Sequence, residues 1–524
     1  MTIALKHFLA AVAVTAVTST AAFAQDEPTR GGQLVVALTN TPRVLNPAVQ
    51  SGIVTGLVGA QLFASPLRYD ENWTPQPYLA KSWEVSEDGL TVTLNLQENA
   101  TFHDGTPITS EDVAFSVDII KEYHPFKSMF APVTSVDTPD EHTAVLNLSK
   151  PHPALMLAMS GQLMSIIPKH IYGDGQDPKN HPRNNEDVVG SGPFKLVEFK
   201  PGEHVIMERY DGYWEDNLPY VDRVIARIIT DSSARAIALE NGELHMSTFE
   251  AEPTVVNRLS QVDGLNVTKE GYGGIGPIDW LAMNTTKGPL ADVRVRQAIA
   301  YAIDKNFILN AIMRGTAAEA KTGIHPDSPL YYDGVPTYEL DLDKANALLD
   351  EAGYPMNGDK RFDITMELVP FPGYRAQSEY IKQALSKVGI MVELQAHPDF
   401  PSWAQTMGTM DFDMSMDSVY NWGDPVIGVN RTYMSTNIAK GVWSNTQGYA
   451  NARVDELLDM AATENDAAKR KALYKEFQEI VAEEVPIYFL NAVPMHTIYS
   501  DRVGNAPKGI WASSSPMDKI FLRK

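Results

Sequence analysis

The sequence of 524 residues contains no cysteine. Disulfide bonds and thiolate metal sites are therefore excluded, and so is the lipid anchor that a bacterial lipoprotein carries on a cysteine. We expect a soluble protein that core packing alone stabilises. The chain is long enough for this, because the buried fraction of the surface rises with chain length.

Familiar catalytic motifs are also missing. The sequence has no G-x-S-x-G elbow, no phosphate-binding loop and no H-E-x-x-H, and its 12 histidines lack the spacing of metal ligands. Residues 271–276 fit G-x-G-x-x-G, but Pro277 follows where a dinucleotide fingerprint requires a helix. We therefore expect no enzyme activity, no cofactor and no metal, although a hidden pair of acid and base carboxylates stays open at this level.

Positive charge is scarce. The chain has 43 basic and 66 acidic residues, and Lys6 is the only charged residue among the first 24. Without that leader, 42 basic residues face 66 acidic ones, a net charge of −24. Such an excess opposes binding to nucleic acid and direct insertion into anionic membranes.

No apolar run is long enough to span a membrane, which needs about 20 residues. The first residues, MTIALKHFLAAVAVTAVTSTAAFAQ, instead combine Lys6, a short apolar core and an A-x-A site. This is the pattern of a secretory signal peptide, residues 1–24, cleaved before Gln25. We expect a periplasmic protein without a lipid anchor.

Strand and helix patterns alternate along the rest of the chain. Residues 34–38 read as a buried strand, and residues 90–96 and 144–148 alternate apolar with polar side chains. Thr109 is predicted to cap a helix, and another helix is predicted to start after Asp466. This order favours an α/β or α+β architecture.

Five blocks of sequence resemble one family, in that family's order. The first contains A-x-S-W, D-G, an alternating strand, F-x-D-G and a capped E-D-V helix. The blocks are residues 80–116, 190–214, 283–305, 342–355 and 449–490. The chain thus resembles the extracellular solute-binding proteins of family 5, which serve peptide, nickel and opine ABC importers.

The resemblance implies an α/β, two-lobed periplasmic-binding-protein clamshell of type II, with an extra subdomain in lobe one. The chain is expected to cross between lobes near residues 276–281 and 488–493. The implied parts are lobe one (25–67, 188–276 and 492–524), its extra subdomain (68–187) and lobe two (277–491). Ligand would hold the lobes closed, because a solute that touches both binds fully only to the closed state.

The implied function is capture of a peptide-like or amino-acid-derived solute for the permease subunits of an ABC importer, by a monomer. Oligosaccharides, opines and metal chelates stay open as ligands. A secreted hydrolase and a subunit that presents ligand to a chemoreceptor are the alternatives from other classes.

The resemblance places ligand residues in the loop after the first strand and in residues 417–425. In the loop, the candidates are Asn40, Thr41 and Arg43, and Arg43 is either a ligand contact or a solvated loop residue. In di- and oligopeptide binders, the second segment carries an aspartate that pairs with the peptide's α-ammonium. Here Asn421 takes that position, so recognition of a free amine is in doubt.

Further candidates surround Asn421. Asp417 or Asp424 could replace the missing aspartate, or Asp424 could simply cap the turn before Pro425. Arg431 could pair with a ligand carboxylate or form a surface salt bridge. Aromatic side chains are expected either to line the cleft or to pack in the core: Tyr272, Trp403, Tyr420, Trp422 and Trp443.

Overall fold

The computed structural model describes residues 27–370, 373–438 and 441–524. The predicted signal peptide lies outside these residues. The strands are β1 (Gln33–Leu38), β2 (Leu67–Tyr69), β3 (Pro75–Pro77), β4 (Ala80–Val85), β5 (Thr91–Leu96), β6 (Val133–Asp140), β7 (Thr143–Leu148), β8 (Phe194–Lys200), β9 (His204–Arg209), β10 (Arg223–Ile228), β11 (Met246–Glu250), β12 (Leu265–Thr268), β13 (Pro277–Met283), β14 (Phe362–Leu368), β15 (Ile390–Ala396), β16 (Met414–Tyr420), β17 (Ile487–Ala492), β18 (His496–Ser500), β19 (Val503–Gly504) and β20 (Phe521–Leu522).

The helices are α1 (Ile53–Leu62), α2 (Ser110–Tyr123), α3 (Ala154–Ala158), α4 (Lys169–Tyr172), α5 (Ser232–Glu240), α6 (Pro253–Leu259), α7 (Val293–Ala302), α8 (Lys305–Phe307), α9 (Leu342–Glu351), α10 (Tyr374–Ser386), α11 (Phe400–Thr409), α12 (Pro425–Gly428), α13 (Ala452–Thr463) and α14 (Ala467–Glu484). Within the described ranges, no helix is both long and apolar enough to cross a membrane.

The first lobe is built on a seven-stranded sheet in the order β12-β18-β11-β1-β10-β9-β8. The predicted strand at residues 34–38 is confirmed as β1, which lies parallel to β10 and β11 inside the sheet. Leu34 and Val36 enter the main core, whereas Ala37 packs on the opposite face with α5 and α6. Since β18 comes from the C-terminal part of the chain, both ends of the described chain contribute to this lobe.

A separate antiparallel sheet, β4-β5-β7-β6, lies within the residues proposed for the extra subdomain. Helix α2 packs against it through Val113, Val117 and Ile120, all buried. The predicted cap is confirmed: the carboxylate of Asp112 accepts the backbone N–H of Thr109 at 2.9 Å. This bond satisfies a donor that the first turn of a helix leaves open.

The second lobe has a five-stranded sheet, β15-β14-β16-β13-β17, with helices on both faces. Helices α7 and α10 pack on the face that carries Leu281, and α13 and α14 pack on the face that carries Trp280. The predicted helix after Asp466 is confirmed as α14. The carboxylate of Asp466 caps its first turn by accepting the backbone N–H of Lys469.

The chain passes from the first sheet to the second between β12 and β13, and returns between β17 and β18. Residues 271–276 form the first crossing and lead into a strand, not a helix. Gly274 needs its lack of a side chain, since an added Cβ would lie 2.7 Å from the carbonyl oxygen of Ile510. Strand β13 starts, and β16 and β17 end, at the end of the second sheet that faces the first lobe.

Candidate ligand-binding site

Residues 417–425 comprise the end of β16, the turn after it and the first residue of α12, and they lie where the two lobes meet. The backbone N–H of Asn421 is 3.1 Å from the carbonyl oxygens of Ile275 and Gly276 in the first crossing. The Trp422 ring lies 5.2 Å from the ring of Phe126, which belongs to the first lobe. The segment is therefore attached to the crossing and also touches the opposite lobe.

The side-chain amide of Asn421 is occupied by the protein itself. Its Nδ2 donates to the carbonyl of Gly323 at 2.9 Å, and its Oδ1 accepts the N–H of His325 at 2.7 Å. Asn421 is buried, so these bonds satisfy groups that would be costly to leave unpaired. The amide joins two loops of the second lobe, and its predicted contact with ligand stays a prediction.

Asp424 is held by a buried ion pair. Its two oxygens accept from the guanidinium of Arg470 at 2.7 and 2.8 Å, and Oδ1 also accepts the N–H of Val426 at the start of α12. Burial alone raises the pKa of Asp424, but Arg470 outweighs burial and lowers it below its usual range. Capping and ion pairing thus account for this carboxylate.

Asp417 is a buried carboxylate without a salt bridge to any described residue. Its Oδ2 accepts the indole N–H of Trp443 at 2.8 Å. Burial raises the pKa of Asp417 to about 7, despite this bond, and the charge of Asp279 adds to the rise. A nearby cation would lower this pKa again.

Asp279 is a second buried acid near the same end of the sheet, and sequence analysis missed it. Its Oδ2 accepts from the amides of Gln377 and Asn491, both at 3.0 Å, and burial raises the pKa of Asp279 to about 6. The available signal was a lone acidic residue between Ile278 and Trp280 in an otherwise apolar strand.

The predicted aromatic residues divide between the site and the core. Tyr420 is partly exposed and stacks on Trp422 at 5.8 Å, and Trp443 stacks on Phe400 at 5.3 Å. Trp403 is only 1% exposed and packs in the cluster with Met407. Core packing therefore explains the position of Trp403. Tyr420 and Trp443 are partly exposed and remain the better candidates for contact with a ligand.

The backbone of Trp422 and Trp443 is left-handed, with φ of 50° and 56°. Bulky residues rarely adopt this conformation, and strain of this kind collects at functional sites. The observation supports the choice of both residues as candidates.

Tyr272 is a buried residue of the first crossing itself. Its hydroxyl accepts the N–H of Phe249 at 3.0 Å and lies 2.7 Å from the hydroxyl of Thr497. These bonds attach the crossing to β11 and β18, so the fold by itself explains Tyr272.

The three loop candidates of the first lobe, Asn40, Thr41 and Arg43, are all exposed. The carbonyl of Arg43 accepts from the side chain of Asn185 at 3.3 Å. Within the described residues, none of these three side chains forms a hydrogen bond or salt bridge with residues 417–425. Their role in ligand binding stays a prediction.

Arg431 is partly buried at the meeting of the lobes. Its guanidinium carbon lies 5.3 Å from the centre of the Phe126 ring, and its Nε donates to the carbonyl of Gly428 at 3.2 Å. It has no salt bridge within the described chain, and burial lowers the pKa of Arg431 to about 10. Phe126, which sequence analysis also missed, thus contacts both Arg431 and Trp422.

The site carries no cluster of three or more His, Asp or Glu side chains that could hold a metal ion, within the ranges described above. What it offers is an aromatic surface, two buried carboxylates and one guanidinium. Such a set suits an organic solute with polar or charged groups.

Comparison with known proteins places these features in a family. Residues 74–440 match the model of bacterial extracellular solute-binding proteins, family 5 Middle. The dipeptide-binding protein of Escherichia coli K12 is 27% identical over 471 residues, covering 81% of this chain and 85% of that protein. Heme-binding protein A of Haemophilus influenzae is 28% identical over 446 residues, 78% of each chain.

The fold is likewise similar to a solved structure. The ABC transporter substrate-binding protein CtaP of Listeria monocytogenes superposes with a TM-score of 0.83 at 26% identity, over 95% of this chain and all of that one. This likeness confirms the predicted two-lobed α/β fold of type II.

Proposed function

This chain belongs to the bacterial extracellular solute-binding proteins of family 5, and we propose that it captures its solute between the lobes, beside residues 417–425. The observation that carries the proposal is the contact of Trp422 with Phe126, because it joins the lobes next to that segment. A solute bound there touches both lobes and favours their closure. The closed protein then delivers it to the permease subunits of an ABC importer.

The solute in this proposal is peptide-like or derived from amino acids. Relatives named for binding a dipeptide and heme support a family whose ligands vary widely. Aromatic side chains next to charged groups of both signs support a solute that has polar as well as apolar parts. Opines, oligosaccharides and metal chelates remain the alternatives within the same fold.

The remaining parts of the proposal follow from the sequence. We propose a periplasmic monomer, exported by a signal peptide that is cleaved before Gln25, with no bound cofactor or metal. It acts by binding, not by catalysis, and does not engage nucleic acid. Mass spectrometry of the exported protein tests the cleavage, and a mass that still contains residues 1–24 contradicts it.

Thermal denaturation with a panel of di- and tripeptides, glutathione, opines and oligosaccharides tests solute binding. A solute that binds only the folded protein raises the melting temperature by mass action. We expect at least one class to do so with a stoichiometry of one and no turnover. If no compound shifts the melting temperature, or if a compound is consumed, the proposed function is wrong.

A further inference from the structure

The charged side chains of residues 417–431 differ in whether a partner of opposite charge lies beside them. Asp424 is paired with Arg470, and Asp417 accepts a bond from Trp443. Arg431 has only the carbonyl of Gly428 as a hydrogen-bond partner within the described residues. It is therefore the cation of this segment that lacks an anion.

The described neighbours of Arg431 do not supply an anion. Phe126 offers only a ring face. His124, whose ring is 5.6 Å from that of Phe126, accepts the N–H of Phe126 on Nδ1, so the neutral ring carries its proton on Nε2. This Nε2 is buried and has no acceptor in the described structure, and burial lowers the pKa of His124 to about 3. The side chains of Arg431 and His124 thus both lie against Phe126, and neither has an anionic partner among the described residues.

Keeping a guanidinium unpaired in a partly buried position is costly. The single bond to Gly428 does not require a charge, because a neutral donor could make it. The planar guanidinium is, however, well suited to bind a carboxylate through two parallel bonds. The placement of Arg431 is thus better explained by binding of a ligand carboxylate than by a contribution to the stability of the fold.

We infer that Arg431 binds a carboxylate of the solute, at the point where the second lobe touches Phe126 of the first. This inference rests on the proposed function and narrows it to carboxylate-bearing solutes. A free α-amine need not be recognised by Asn421, whose amide is bonded to Gly323 and His325. Because the site lies between the lobes, binding there also favours their closure.

Matched pairs of compounds test the inference. Alanyl-alanine, N-acetyl-alanyl-alanine, glutathione and octopine are compared with their carboxamides by thermal denaturation and calorimetry, on the natural chain and on Arg431→Gln. We expect a carboxylate to bind, its amide to bind roughly thirtyfold more weakly or worse, and Arg431→Gln to lose that preference. Arg431→Lys, which keeps the charge but not the paired geometry, is expected to fall between the two.

The possible outcomes distinguish a failure of this inference from a failure of the proposed function. If carboxylates and amides bind equally, or if Arg431→Gln keeps the preference, the inference is wrong while solute binding stands. If none of these compounds binds but another class of the wider panel does, the inference is wrong while solute binding stands. If no class of the panel binds, the proposed function fails as well.

A second measurement needs no ligand. Arg431→Gln is expected to leave the melting temperature of the unliganded protein unchanged or higher, because the unpaired charge does not stabilise it. Arg470→Gln is the matched control and is expected to lower it strongly. A comparable fall in both variants would assign Arg431 to the fold and overturn the inference.

Discussion

The indole N–H of Trp443 donates to the carboxylate of Asp417 across 2.8 Å. The bond joins the loop after residue 440 to the end of β16, and it is made by a tryptophan with a left-handed backbone. Asp417 gains a donor but has no cation beside it among the described residues, so its charge remains costly in the buried site. This relationship makes the stability of the protein sensitive to pH.

Asp417→Asn tests that sensitivity. Since the pKa of Asp417 is raised to about 7, the folded protein holds a proton between about pH 4 and pH 7 that the unfolded chain has released. The contribution of Asp417 to the free energy of unfolding therefore falls as pH rises through this window. We expect the melting temperature of the variant, relative to the natural chain, to increase from about pH 5 to about pH 8.

Asp279 titrates in the same direction and is present in both proteins, so the difference between them reports Asp417 together with its interaction with Asp279. Asp216→Asn, an exposed change in the first lobe, is the control. A difference that does not vary with pH would contradict the prediction.

Asn421→Asp restores the aspartate found in peptide binders. The new carboxylate cannot donate to the carbonyl of Gly323, and it buries a charge beside that oxygen. We expect the free energy of unfolding to fall by about 1–3 kcal/mol in urea denaturation, without a gain in affinity for free-amine peptides. Asn306→Asp, at an exposed residue of the second lobe outside the candidate site, is the control. Tighter binding of free-amine peptides by Asn421→Asp would instead place this side chain against the ligand.

The pair of Asp424 and Arg470 suits a double-mutant cycle. Arg470→Gln leaves a buried carboxylate unpaired and is expected to cost about 3–5 kcal/mol. Asp424→Asn leaves the buried guanidinium of Arg470 without its anion and is expected to be destabilising as well. The double variant is expected to lose less free energy of unfolding than the sum of the two single variants. Additive losses in urea denaturation would show that the pair is not coupled.

Phe126→Ala removes the ring that contacts both Trp422 and Arg431 from the first lobe. Because the Phe126 side chain contacts the second lobe, its loss is expected to favour opening, so the unliganded variant should have a larger radius of gyration by small-angle X-ray scattering. Phe307→Ala, which removes a ring stacked on Tyr380 within the second lobe, is the control. Equal radii in both variants would show that the Phe126 contact does not influence closure.

Much of the fold could be predicted from the sequence, because its signals are local. The caps at Thr109 and Asp466 depend on residues within one helical turn, and the strands show their burial through alternation. The candidate segment at residues 417–425 was found through its resemblance to a family. Asp279 and Phe126 were missed, since neither belongs to a motif and each gains its role from distant partners.

The sequence by itself determined several strands and helices, the alternation of the two and the family, because helix caps, strand alternation and ordered blocks depend on neighbouring residues. Only the tertiary structure decided how the charges of the site are used. Asp424 meets Arg470, 46 residues further along the chain, and Phe126 meets Trp422 across the lobes. Such pairs depend on how whole lobes pack, and packing determines which polar groups are satisfied and which, like Arg431, have no anionic partner among the described residues.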